Sequence, residues 1–376
     1  MRIGIDGREL LGPRTGVGRY LASLCTEWSG APACAGHELL VYTPRPLPAD
    51  APLPNRTGPG ARLNHATIPG AGGPWWEQIS LARRAAADRL DVFFGPGYSV
   101  PLVLDVPSVV TLHDVSFTAH PEWFGWREGL RRRWLAARAA AAARTVIAVS
   151  EFSRQEILGH LGTPPARVRV VHNGVAAPSC PKPPGEPPLP AASGAPLVLY
   201  VGALFARRRL PLLLAAFEQV SRAVPEVELA IVGPDRTWPP EDLRGIAEAR
   251  GVASRVAFLR YVDDGALSAL YRRATVFAWL SEYEGFGLTP LEALAAGTPV
   301  VAGDTAVARE VYGDAVRRVP LGDPGAVAAA LVDVVTRREV REALLARAGP
   351  LLARYTWKRA AAETFAVLRD AAAERP

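Results

Sequence analysis

Two glutamates eight residues apart, Glu284 and Glu292, flank a Gly-Phe-Gly run in the stretch SEYEGFGLTPLEALAAGTPVV, Ser281 to Val301. Glu284 follows the apolar run TVFAWLS, which reads as a strand, and so stands at that strand's carboxyl edge. The glycines there let the backbone N–H groups of Phe286, Gly287 and Leu288 approach a polyhydroxylated or anionic group. Glu292 falls in the helix that follows, where Thr289 reads as the N-cap, Pro290 as the first helical residue and Gly297 as the stop. On that count Glu292 is the third helical residue, and one reading makes it only the return arm of a capping box. The other uses both carboxylates as acceptors for two hydroxyl-bearing parts of one molecule, such as a hexose and a ribose. A nucleotide sugar carries both.

Cations stand nearby in the pattern. The run ARRRL places Arg207, Arg208 and Arg209 after the strand PLVLYVG and before a helix. Basic side chains oppose a helix dipole at its amino end, so an anionic ligand such as a diphosphate accounts for them better than a solvated helix start. His113 ends the run PSVVTLHD, again at a strand's carboxyl edge; a lone histidine there fits either a satisfied structural group or a reactive one. Gly16 and Gly18 in TGVGRY form a tight loop before a helix, a weak signal alone because any such turn favours glycine. The adjacent acids of VDDG, Val262 to Gly265, lack alternate spacing and read as a helix start rather than a metal site.

The elements that must position these groups alternate. RIGID reads as a strand, and after the Gly-rich loop the stripe Tyr20, Leu21, Leu24 and Trp28 has helical spacing. HELLVYTP, LDVFFGP, PSVVTLHD and RTVIAVS read as further strands, separated by helical WEQISLARRAAADRL and EGLRRRWLAARAAAAA. Past a Pro-, Gly- and Ser-dense stretch near residue 176, the alternation restarts with PLVLYVG, VELAIVGP, RVAFLRY, TVFAWLS and TPVVAGD and the helices between them. Alternation predicts two doubly wound parallel sheets covered on both faces, with ligands at the carboxyl ends of the strands. The expected boundaries are a first, acceptor-side domain over 1–176, a Pro-rich linker over 177–196, a second, donor-binding domain over 197–354 and a terminal helix, 355–376, packing back toward the first.

Composition agrees with a folded protein of two domains: 376 residues, 49% hydrophobic and 21% charged. The formal net charge of +6 favours an anionic partner without choosing one. Three cysteines, Cys25, Cys34 and Cys180, show no paired spacing and read as free thiols in a reducing compartment. No signal-peptide segment or run of about 18 apolar residues occurs, so a cytoplasmic location is expected. The segment PEWFGWREGLRRRWLAARAAAAAR mixes tryptophans with arginines. It reads either as a core-packed helix with a solvated basic face or as a helix lying peripherally on an anionic membrane surface, the inner face of the cell membrane.

EGFGLTPLE followed by ALAAGTPVVAGDTAVAREVYGDA resembles the signature of the group 1, family 4 glycosyltransferases of the GT-B fold, retaining enzymes that use nucleotide-diphosphate sugars. The segments TGVGRYL, TLHDVSF with HPEWF, VIAVSEFSRQEIL, VRVVHNGV, YVGALFARRRLPLLLAAF, AIVGPD, VAFLRYVDDGALSALYRRATVF and YTWKRAA follow in family order over most of the chain. The resemblance implies two Rossmann-like domains facing across a cleft. It gives Glu284, with the Phe286, Gly287 and Leu288 backbone, to the transferred sugar's hydroxyls, Glu292 to the ribose, and Val262 to base recognition. Arg207 and Arg208 take the diphosphate, with Arg208 standing where the family has lysine. The Gly16 amide falls near the β-phosphate once the domains close, and His113 beside the donor sugar. Leu280, Arg260 and Thr289 depart from the family's usual Pro, Gly and Pro.

No second acid suggests itself as a nucleophile, so a front-face retaining route without a metal or other cofactor is expected, the leaving phosphate helping to deprotonate the acceptor. The expected donor is GDP-mannose or a similar nucleotide sugar, and the acceptor a saccharide or a polyprenyl-diphosphate-linked one, in polysaccharide assembly; nucleic acid is not an expected partner. A non-catalytic nucleotide-sugar binder or membrane scaffold is the alternative. A nicotinamide-dependent oxidoreductase is set aside, because GPRTGVGRY lacks the G-x-G-x-x-G spacing.

Overall fold

The computed structural model describes residues 1–12, 16–48, 51, 53, 58–176 and 194–373. Most of the expected linker, and with it Cys180, lies outside them. The chain divides into two compact units, one of residues 1–119, 127–174 and 355–376, the other of residues 120–126 and 175–354.

The first unit carries seven parallel strands: β1 (Arg2–Asp6), β2 (Glu38–Thr43), β3 (Arg62–Thr67), β4 (Val92–Gly95), β5 (Ser108–Leu112), β6 (Thr145–Ala148) and β7 (Val168–Val170). They lie in the order β3-β2-β1-β4-β5-β6-β7, so the winding reverses between β1 and β4. Its helices are α1 (Gly16–Gly30), α2 (Ala82–Ala87), α3 (Ser116–Ala119), α4 (Trp126–Ala142), whose first residue groups with the other unit, and α5 (Glu151–Leu161). The second unit repeats the plan with β8 (Leu197–Val201), β9 (Glu228–Val232), β10 (Val256–Leu259), β11 (Val276–Trp279), β12 (Val300–Gly303) and β13 (Arg317–Val319). These run β10-β9-β8-β11-β12-β13, all parallel, and reverse between β8 and β11. Its helices are α6 (Leu210–Ala223), α7 (Leu243–Ala249), α8 (Asp264–Arg273), α9 (Leu288–Ala295), α10 (Ala306–Val311), α11 (Pro324–Thr336) and α12 (Arg338–Leu352).

Strands inside a parallel sheet are covered on both faces, so they read as unbroken apolar runs; β5 and β8 are buried at every residue. The strands without such a run, β3, β7 and β13, occupy sheet edges and are only part-buried, which lets polar residues into their sequences. Segment 76–87, which reads as one helix, begins as a π-helical turn over Trp76–Leu81 before α2.

The last helix, α13 (Trp357–Ala373), belongs to the first unit although 180 residues of the second precede it in the chain. Its Phe365 packs 6.1 Å from the Trp28 ring of α1, and Trp28 Nε1 donates to the Ala361 carbonyl at 2.8 Å. Leu21, Leu24, Cys25 and Trp28 of α1 share one core with Ala361, Phe365 and Leu368. The α1 stripe thus faces inward at the period its sequence shows.

Candidate functional site

In the second unit the carboxyl ends of β8 and β11 are neighbours across the switch point, where doubly wound sheets bind their ligands. After β8 the chain makes a short 3₁₀ turn, Ala206–Arg208, that carries two of the expected arginines inward. Arg207 and Arg208 are both buried. The Arg207 guanidinium lies 4.4 Å over the Phe205 ring, and that of Arg208 4.2 Å over the Trp279 ring, so aromatic faces replace part of the lost hydration. Arg209 instead adopts φ +53° and turns outward to pair with Glu282, Nε to Oε2 2.7 Å.

Arg208 forms an ion pair with Glu284, and both are nearly excluded from solvent. Ser281 Oγ donates at 2.6 Å to Glu284 Oε1, the same oxygen that faces Arg208. The two groups assigned by resemblance to different parts of a donor therefore hold each other here. A buried ion pair of this kind costs desolvation, and removing either partner strands the other.

Glu284 leads into Phe286 and Gly287. Gly287 has φ +78°, and a Cβ there would collide with the Tyr312 hydroxyl, so no side chain fits. Tyr312 donates from that hydroxyl toward the Phe286 and Gly287 carbonyls, at 3.2 and 3.0 Å. Gly287, rather than Thr289, is the N-cap of α9, and it supplies no side-chain cap. This corrects the capping-box reading. Glu292 is the fifth helical residue, a turn too deep to reach the cap, and its Oε2 accepts from the buried Tyr271 hydroxyl at 3.2 Å. Pro290 is tolerated at the third position because helical N–H groups in the first turn have no internal partner. Leu288 opens the helix and is half-buried. Val262 lies between β10 and α8, also half-buried; beside it Asp263 caps α8, accepting from the Ala266 N–H at 2.8 Å, so the VDDG acids do begin a helix.

Gly16 and His113 belong to the first unit. Gly16 is the first residue of α1, exposed, and a Cβ there would meet nothing within 4 Å among the described residues. His113 follows β5, with Nε2 2.8 Å from the Pro96 carbonyl. A carbonyl can only accept, so that nitrogen carries the proton and Nδ1 is the basic one. Burial pushes the His113 pKa below the usual imidazole value, against the opposing pull of the Pro96 carbonyl and Asp114, so the ring is neutral at pH 7.

Sequence reasoning did not reach Ser281, Tyr271, Trp279 and Tyr312, which hold the glutamates, Arg208 and the Gly287 turn. Ser281 was within sight, three residues before Glu284. The other three stand 21 to 71 residues away in the chain from the groups they hold and carry no local signal. Among the described residues no group of three or more His, Cys, Asp or Glu side chains is placed to hold a metal ion, and no helix is long and apolar enough to cross a membrane.

Two doubly wound parallel sheets stand in one chain, the second with buried arginines and carboxylates beside its switch point, the architecture of a two-domain α/β ligand-binding protein. Residues 186–348 match the family model "Glycosyl transferases group 1", and residues 14–177 match "Glycosyltransferase Family 4". The chain belongs to the group 1, family 4 glycosyltransferases, with the GT-B fold. It is 27% identical over 279 residues, 73% of each chain, to the O-antigen chain mannosyltransferase B of Escherichia coli. Its fold is similar to that of WaaG, a glycosyltransferase involved in lipopolysaccharide biosynthesis, at TM-score 0.71 and 18% identity, covering 98% of this chain and 99% of that one. It is also similar to Anabaena HepE solved with UDP-glucose, at TM-score 0.67 and 19% identity, over 98% and 100% of the two chains.

Proposed function

We propose that this protein moves a hexose, with retention of anomeric configuration, from a nucleotide-diphosphate sugar to a hydroxyl of a saccharide or polyprenyl-diphosphate-linked acceptor. The single observation that supports this most is the Arg208–Glu284–Ser281 constellation beside the uncapped start of α9. Transfer develops negative charge on the departing diphosphate, and buried guanidinium groups answer it where water cannot. When Arg208 turns to the diphosphate, Glu284 is released to accept from the sugar's hydroxyls, still oriented by Ser281. The leaving phosphate takes the acceptor proton; Glu284 positions, and no metal or covalent adduct enters. Glu292, held by Tyr271, is assigned to the ribose and Val262 to the base. Gly16 and His113 enter through the family resemblance, as donor-side groups of the same reaction.

The likeness to a mannosyltransferase favours GDP-mannose as donor. A thermal-shift panel of UDP, GDP, ADP and dTDP tests this, because the nucleotide that binds raises the melting temperature. Transfer from the matching sugar donor is then measured, with NMR of the product's anomeric proton. Glu284→Gln is expected to lower the transfer rate ~10²-fold or more. Full activity in that variant, or an inverted product, would sink the mechanism; a shift without turnover on any acceptor would leave a binding protein instead.

The α4 surface supports a peripheral position on the inner face of a membrane. It buries only Gly129, Ala136, Ala139 and Ala140. Trp126, Leu130 and Trp134 are 72%, 55% and 53% exposed and spaced four apart, so they form one stripe, with exposed Arg127 and Arg131 beside it. Apolar wedges flanked by arginines suit an anionic lipid headgroup layer.

A further inference from the structure

A second buried charge cluster lies in the first unit, at the carboxyl edge of β1, and neither the donor chemistry nor the resemblance uses it. Asp6 is the last residue of β1. Its carboxylate takes a bidentate grip from Arg8, with Nη2 to Oδ2 at 2.6 Å and Nε to Oδ1 at 3.0 Å. The same guanidinium reaches Glu77 Oε2 at 3.1 Å, Ser99 Oγ at 3.3 Å and the Gly72 carbonyl at 3.1 Å. Four separate segments meet on one arginine: the end of β1, the glycine-rich stretch before residue 74, the π-helical turn and the loop after β4.

The charges do not balance. Two carboxylates face one guanidinium, and Glu77 is only 1% exposed. Its Oε1 makes no hydrogen bond among the described residues. Burial, with Asp6 adding to it, raises the Glu77 pKa against the pull of Arg8 and Ser99. A carboxylate oxygen left without a donor in such a place is costly, and folds keep few of them. The place is also where this class of sheet binds ligands, next to the β1/β4 switch point. The turn that carries Glu77 is π-helical, a form concentrated at functional sites.

We infer that Glu77, oriented by Arg8 and Asp6, is a binding residue for a hydroxyl group of a neutral saccharide, in an acceptor subsite of the first unit. Oε1 accepts the hydroxyl hydrogen, and the surplus negative charge disfavours a phosphate at that position. The inference rests on the glycosyltransferase reading and deepens it, by naming a residue that reads the acceptor.

Saturation-transfer NMR tests it with a panel of the methyl α-pyranosides of mannose, glucose, galactose and rhamnose, and with mannose 6-phosphate. At least one neutral glycoside is expected to show transfer in the wild-type protein and mannose 6-phosphate to show none. Glu77→Gln is expected to abolish the glycoside signal, and Glu77→Asp, one methylene shorter, to reduce it at least fivefold. The melting-temperature rise with the nucleotide found in the panel above monitors the fold of each variant. Absence of signal from every neutral glycoside, or a full signal in Glu77→Gln, overturns the subsite. Loss of the nucleotide response in both variants makes the cluster structural and overturns it too. Wild-type nucleotide binding and sugar transfer are unaffected by these outcomes, so failure of the subsite is separable from failure of the glycosyltransferase reading.

Discussion

At the scale of single residues, Gly16 and His113 separate ligand chemistry from packing. Among the described residues nothing would meet a methyl group at Gly16, so Gly16→Ala is expected to leave the melting temperature within about 1 °C, a surface change of a few tenths of a kcal/mol. Its donor KM should rise at least tenfold if the amide approaches a phosphate closely. Steady-state kinetics at fixed acceptor measures this, and an unchanged KM removes Gly16 from the donor site.

His113 makes a prediction in pH. Its folded pKa is depressed by burial, while the unfolded chain takes up the proton near ~6.5. Below that value the unfolded state binds more protons, so stability falls as pH drops from 7 toward 5; above pH 7 the group contributes no pH dependence. Urea midpoints at pH 7.5 and 5.5 check it. The drop should be smaller in His113→Asn than in the wild-type protein, and an equal drop would place the proton uptake elsewhere.

At the scale of elements, α4 carries the prediction that is about surface rather than chemistry. The double variant Trp126→Ser, Trp134→Ser removes both exposed rings while the buried glycine and alanines stay in place. Co-sedimentation with vesicles containing phosphatidylglycerol should fall at least tenfold relative to wild type, and pure phosphatidylcholine vesicles should retain neither protein. Binding indifferent to anionic lipid would dismiss the membrane reading. The same helix shows the limit of a local pattern: its sequence mixes Trp, Arg and Ala, and only packing tells which of them face the core. The start of α9 is parallel. Thr-Pro reads as a cap by type, yet the Tyr312 hydroxyl crowds Gly287 and allows only glycine there, so the helix begins two residues earlier.

At the scale of the whole molecule, the chain returns to its first unit after completing the second. The core of α1 is closed by α13, and Phe365 is the largest side chain that α13 buries there. Phe365→Ala is expected to cost the first unit about 3–5 kcal/mol, the range for emptying a buried aromatic site. Thermal unfolding should then split, with the first unit melting early and the nucleotide-stabilised second unit keeping its transition. A single unshifted transition would mean that α13 contributes little to this core.

How much was legible follows from range. Sheet interiors, the double α/β alternation and the glutamate and arginine motifs lie within short windows, and a parallel sheet buried on both faces imprints an apolar run that survives without context. Edge strands β3, β7 and β13 were not legible, since half-covered strands admit polar residues. The amino-acid order alone therefore determined the architecture, the family and the residue types available for chemistry. Tertiary structure alone decided that Arg208 holds Glu284, that Tyr271 holds Glu292, and that Glu77 meets Asp6 through Arg8. Those pairings join residues 21 to 76 positions apart, or depend on a turn that reverses which neighbour points inward, and electrostatic and steric complementarity at such range leaves no period in a sequence.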